Sequence, residues 1–138
     1  MKNLIPILAL VALFSASSCK KKIEDKKQDI IMTAITDGTW IVEQYFEETT
    51  NISSDFVDYD FKFNTDGSVT GTKQGVTTNG TWAGDASNYS ISSNFPSAVA
   101  PLQKMNGVWK ITDSYLDYVE AEMTTSAGKN ILHLRKKV

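Results

Sequence analysis

Val57, Tyr59, Phe61 and Phe63 alternate with Asp58, Asp60 and Lys62. A period of two puts the apolar side chains on one face of an extended chain and the charges on the other, which a helix cannot do. The run therefore predicts a half-buried strand. Asn64-Thr65-Asp66-Gly67 follows it as a tight hairpin turn, and Ser68 to Lys73 is the return strand. Similar segments fill the rest of the chain. Thr39 to Glu47 is rich in Trp, Ile, Val, Tyr and Phe; Gln74-Gly75 turns into Val76 to Ala83; Gly84 to Asn88 loops into Tyr89 to Phe95. Pro96 to Met105 is a longer connection with one helical turn. Strands then resume at Gly107 to Thr112, Tyr115 to Met123 and Asn130 to Lys137, with Thr124 to Lys129 joining the last two. About eight strands with hairpin-length connections predict an all-β fold, an antiparallel up-and-down β-barrel closed to remove its edges. An open two-sheet sandwich is the competing arrangement. Eight strands enclose a space just wide enough for side chains or one small ligand.

The first eighteen residues read as an address rather than as structure. Lys2 supplies a positive start, Leu4 to Phe14 an apolar stretch, and Ser15 to Ser18 a run of small residues. Eleven apolar residues make roughly 16 Å of helix, about half of a ~30 Å hydrocarbon core, so a spanning helix is disfavoured. The chain's one cysteine, Cys19, stands directly after that run. Ala16-Ser17-Ser18-Cys19 resembles a bacterial lipobox. The resemblance implies cleavage before Cys19, a diacylglyceryl group on its sulfur and a further acyl chain on the new amino group. Several buried acyl chains anchor firmly where one would not. Lys rather than Asp at position 20 points, by the sorting rule for such proteins, to the outer membrane.

The organisation is thus a lipoprotein signal over 1–18, a lipidated cysteine and charged tether over 19–35, and a barrel domain over 36–138. Lys20 to Lys27 has one apolar residue in eight, too few to offset chain entropy, so it is expected to be a solvated spacer. Within the tether, Ile31, Ala34 and Ile35 share one helical face and predict a short helix over Asp29 to Thr36. Asp29 is positioned to cap it and Asp37-Gly38 to end it. From Thr36 onward eight basic residues stand against thirteen acidic. That deficit argues against nucleic acid as a partner.

Gly38-Thr39-Trp40, Gly80-Thr81-Trp82 and Gly107-Val108-Trp109 repeat one pattern. Glycine lets the backbone bend or another chain approach closely, and the tryptophan two places on buries a large area. These motifs stand in order with Phe61 to Val69, Gly107 to Ile111 and the closing Leu132-His133-Leu134-Arg135. In that order the chain resembles the lipocalin-like domain of small lipoproteins of the Bacteroidetes group. The resemblance implies a small barrel and leaves activity unassigned. In lipocalins proper an opening Gly-x-Trp packs beside an arginine from near the barrel's end. That implies Trp40 and Arg135 as a structural closure pair, worth ~0.5–2 kcal/mol if the guanidinium lies over the indole.

Catalytic chemistry finds no support. The one histidine, His133, lies opposite Leu132 and Leu134 by alternation and has no evident aimed partner. With one cysteine and one histidine, no Cys/His metal site is expected. Asp55, Asp58, Asp60 and Asp66 lack the order of a calcium loop, and no phosphate loop or nucleophile elbow occurs. No cofactor is expected. Tyr59, Phe61, Phe63, Trp82, Trp109 and Tyr118 are the candidate lining of a cavity for a small apolar ligand. The expectation is a non-catalytic, outer-membrane-anchored binding protein. The alternative is a solid barrel serving as an accessory subunit to an envelope protein.

Overall fold

The computed structural model describes residue 26, residues 28–97 and residues 100–138. The signal segment, Cys19 and the tether as far as residue 25 lie outside the described residues. A helix, α1 (residues 28–36), precedes nine strands. These are β1 (Trp40–Glu47), β2 (Thr50–Asn51), β3 (Asp60–Phe63), β4 (Ser68–Lys73), β5 (Val76–Asp85), β6 (Ser90–Asn94), β7 (Gly107–Tyr115), β8 (Tyr118–Thr125) and β9 (Gly128–Lys136). From β3 each strand pairs antiparallel with the next, β3 joins β1, and β9 returns to β1. The two-residue β2 only flanks β1 at Phe46 and Glu47. The other eight strands form the closed barrel that the alternating segments predict.

Closure is uneven. β1 and β9 pair from Trp40↔Lys136 to Glu47↔Asn130, whereas β1 and β3 meet at Trp40↔Phe61 alone. β1 also carries a bulge between Val42 and Gln44. The extra residue re-phases the strand, so Trp40 and Tyr45 both face inward although five residues apart. The run that opens at Val57 is also shorter than its pattern. A 3-10 turn at Ser53–Phe56 and a left-handed Asp58 (φ 68) interrupt it, and the strand proper starts at Asp60. Phe56 is buried in place of Val57, its ring stacked on Tyr45 at 5.1 Å.

An up-and-down path sends alternate connections to opposite ends. The β3–β4, β5–β6 and β7–β8 turns share one end with α1, and the 3-10 turns Ser53–Phe56 and Leu102–Met105 lie at the other. The second turn is a plug. Leu102 and Met105 are buried, and Gly71 makes room for Leu102, whose Cδ2 lies 2.9 Å from where a Cβ would stand. Trp109 Nε1 donates to Met105 O at 3.0 Å, the Ser93 hydroxyl donates to the same carbonyl, and Tyr45 OH donates to Lys104 O at 2.6 Å.

At the opposite end α1 lays Ile35 into the barrel. Trp40 Nε1 donates to Ile35 O at 2.9 Å. Gln28 donates to Gly84 O at 2.9 Å and accepts from Ala86 N at 2.8 Å, tying the helix to the β5–β6 turn. The helix thus reaches back past Asp29, which lies inside it rather than capping it. The third indole, Trp82 Nε1, donates to Asn64 O in the β3–β4 turn at 2.9 Å. Each Gly-x-Trp tryptophan therefore fills the interior and fastens a non-strand segment to the wall. A tryptophan burying ~150–250 Å² contributes roughly 4–6 kcal/mol of transfer free energy at most. The glycines clear the way. A Cβ on Gly80 would stand 2.5 Å from Asn94 O, and Gly107 (φ +127) lies against Met123.

Candidate functional site

The barrel interior is full. Phe61, Phe63, Trp82 and Trp109 all point inward and are buried, packed with Trp40, Tyr45, Val69, Phe95, Leu132 and Leu134. Their rings meet edge-on or offset: Phe63 on Trp82 at 5.5 Å, Tyr45 on Trp109 at 5.6 Å and Phe61 on Phe95 at 6.5 Å. A void of about 30 Å³ lies within it, walled by Phe63, Ile91, Trp109, Ala121, Leu132 and Leu134 among others. A dry cavity that takes benzene is about 150 Å³. The four inward rings are core, and the interior has no room for a ligand.

The other two candidate lining residues lie elsewhere. Tyr59 is half-buried, stacked near Phe61 at 6.0 Å with Lys73 Nζ 5.3 Å over its ring. Tyr118 is on the outer wall, because β8 turns Val119 and Ala121 inward and Tyr118 and Glu120 outward. The expected closure pair is corrected as well. Arg135 faces outward with His133, stacked over Tyr118 at 4.6 Å and bridged to Glu43 at 3.2 Å. Lys136 is the cation over Trp40, its Nζ 5.3 Å from the ring. Leu132 and Leu134 face inward on β9, so even-numbered Lys136 follows them and Arg135 cannot.

Arg135 instead joins an outer-wall network with Glu43, Asp117, Tyr118, Glu120 and His133. Tyr118 OH donates to Glu120 Oε2 at 3.0 Å, and His133 Nε2 lies 3.6 Å from the same oxygen. Burial, and then the bond to Glu120, push the Tyr118 phenol up to about 12. These groups cross-link β1, β9 and β8 where the barrel closes. Among the described residues no group of three or more His, Cys, Asp and Glu is placed to hold a metal ion.

An apolar recess lies at the α1 end. A cleft of about 340 Å³ opens between α1 and the β7–β8 hairpin. Ile30, Ile31, Ala34 and Ile35 form one wall, Tyr115 and Leu116 the other, and Trp40, Ile91, Ile111 and Val119 the floor. Ser114 brings the one hydroxyl besides that of Tyr115. A second bulge, between Ile111 and Asp113, places Ser114 opposite inward-facing Val119 and so at the cleft. The lining is largely apolar, and its rim is open: Leu116 is 77% exposed, Tyr115 65% and Ile30 59%. An apolar cleft of this size falls at the small end of ligand sites and suits an apolar body with few polar contacts. Sequence reasoning placed Leu116 within a strand, whereas the chain turns there, between Tyr115 and Tyr118. The stripe Ile31-Ala34-Ile35 was the available signal, since it foretells an apolar helix face without its opposing wall.

No protein-family profile matches the chain. No curated protein matches it either. Among solved structures, the crystal structure of a DUF4847 family protein from Bacteroides vulgatus ATCC 8482 is similar, with a TM-score of 0.55 and 14% sequence identity. The match covers 78% of this chain and 99% of that one. The likeness is one of fold, and it fits a lipocalin-like barrel in broad terms.

Proposed function

We propose that this chain is a non-catalytic, lipid-anchored barrel of the outer membrane, and that it binds a small apolar molecule in the cleft beneath α1. The observation that supports this reading is the contrast between two spaces. The interior holds about 30 Å³ and the mouth about 340 Å³. Binding therefore belongs to the mouth, where apolar atoms already face solvent and lose water on contact with a ligand. The anchor of this reading is the acylated sulfur of Cys19.

The test is a titration with medium-chain fatty acids and a polarity-sensitive dye, following tryptophan emission, to which Trp40 on the cleft floor contributes. Ala34→Phe, which crowds the cleft, is expected to weaken binding at least tenfold. Ala121→Leu, which crowds the interior, is expected to leave it unchanged. No response across the panel, or the reverse order of the two variants, would refute the binding reading. The anchor is checked separately by intact mass: acyl mass on Cys19 in the envelope form, and release into the soluble fraction with Cys19→Ser.

The packed interior also favours a second reading, a solid barrel that docks on an envelope protein. Crosslinking in whole cells that recovers monomer only would count against it.

A further inference from the structure

We propose that the α1 end of the barrel is a bilayer-contact face, with Ile30, Tyr115 and Leu116 seated at the boundary between lipid headgroups and acyl chains. This rests on the anchoring reading above. The most exposed apolar side chains of α1 and of the β7–β8 turn converge here, and Tyr89, also exposed, sits in the β5–β6 turn at the same end. Isoleucine and leucine supply apolar surface, and tyrosine is the side chain suited to a boundary with one dry and one wet side.

The path of the chain selects the occupant. Lys26 lines an open groove together with Ile30, Ala34, Leu116 and Lys136, so the tether reaches the barrel beside the exposed leucine. Six residues separate Cys19 from Lys26, which makes seven steps from Cα to Cα. Fully extended they span at most about 25 Å. An acylated Cys19 therefore holds this end, rather than the plugged one, against the membrane. Lys20, Lys21, Lys22, Lys26 and Lys27 lie in that interval or just past it, against Glu24 and Asp25. Their net positive charge suits anionic headgroups. The carboxylates of this end limit the depth. Asp29 lines the same groove, Asp37 pairs with Lys136 at 3.2 Å and Asp117 lies 3.9 Å from Arg135, while Asp66 and Asp85 accept bonds within their own turns. Contact is thus shallow, no deeper than that boundary.

The experiment uses the full chain purified in its envelope form and reconstituted into phosphatidylethanolamine–phosphatidylglycerol vesicles. The sulfur of an acylated Cys19 is a thioether, so Leu116→Cys supplies the one thiol open to a nitrobenzoxadiazole label. Val108→Cys is the control, 61% exposed on the same strand as Tyr115. It lies about 23 Å away along the strand at ~3.3 Å per residue. The proposal expects a blue shift at 116 and at least twofold greater quenching by nitroxide-labelled lipid than at 108. Equal quenching overturns it, as does a shift at 116 that appears only when an envelope protein is added. Intact mass of the same sample reports the anchor. If Cys19 proves unacylated, the anchoring reading falls, and Cys19→Ser chains labelled at 116 and mixed with the vesicles decide the contact face. A shift there keeps the face, and none removes it.

Discussion

The two ends of this barrel are sealed by different means. At one end the Leu102–Met105 turn enters the barrel, buries two side chains and is held by the Trp109 indole, the Ser93 hydroxyl and the Tyr45 phenol. At the other, α1 lies across the mouth, buries Ile35, and is held by the Trp40 indole and the two bonds of Gln28. The first arrangement packs its turn into the core. The second leaves a cleft of about 340 Å³. A barrel whose interior is solid can still bind where one seal is partial. The helix is then both a structural element and one wall of the cleft.

The strongest test of this contrast pairs Leu102→Ala with Ile35→Ala. Both remove a buried aliphatic side chain, and such truncations cost about 2–5 kcal/mol when the surroundings cannot relax. Leu102→Ala is expected to lower global stability by that amount, read as the denaturation midpoint, because the plug is continuous with the core. Ile35→Ala is expected to free the helix first. Amide exchange over residues 30–36 should rise while the strands keep their protection. Equal loss of strand protection in both variants would make the mouth as much a part of the core as the plug, and the comparison would fail.

The legible features share a cause, which is that they are local. The hairpin from Phe61 to Val69 could be read because its alternation and its turn residues lie within nine positions, and Ser68–Lys73 appears where expected. The recurrent Gly-x-Trp signal was legible as buried aromatics and close backbone approach. Its three indole bonds were not, since Ile35, Asn64 and Met105 are fixed only by the closed barrel. Strand parity misplaced Tyr118 because the β7–β8 turn falls two residues before the inward Val119. Likeness of motif, not parity, points to Arg135 as the partner of Trp40, and the alternation of β9 gives that place to Lys136. The cleft was out of reach for a simple reason: α1 and Leu116 are some eighty residues apart, and nothing local couples them.

A smaller effect separates the ends by pH. Burial, countered in part by a hydrogen bond with Asn130 and reinforced by Glu47, raises the Tyr45 phenol to about 12 from its ordinary 10. A phenol that ionises less readily when folded supports the fold fully below pH 10. That support is lost as pH rises from 10 through 12. Two units correspond to about 2–3 kcal/mol. Stability is therefore expected to fall steeply in that window, and Tyr45→Phe to flatten the profile. Tyr118, raised in the same direction, leaves a residual slope. Because Tyr45 holds the plug, unfolding there should be global. Helix release without loss of the strands above pH 10 would place the sensitive seal at the mouth instead.

The mildest prediction concerns Gln28, whose amide bonds both Gly84 O and Ala86 N. Replacing it by alanine leaves these backbone groups at a half-buried edge where water can reach them. The net cost is therefore about 1 kcal/mol rather than a full burial penalty. That corresponds to roughly a fivefold shift in the docking of α1. Since α1 is one wall of the cleft, ligand affinity should fall by a similar factor, while the denaturation midpoint of the barrel barely moves. The two readouts belong together. If Gln28→Ala speeds amide exchange over residues 30–36 fivefold but leaves affinity unchanged, the helix is only a cover and the ligand rests on the barrel floor. If affinity falls without any change in exchange, Gln28 shapes the site directly. Only a matched change in both supports a mouth whose wall and seal are the same nine residues.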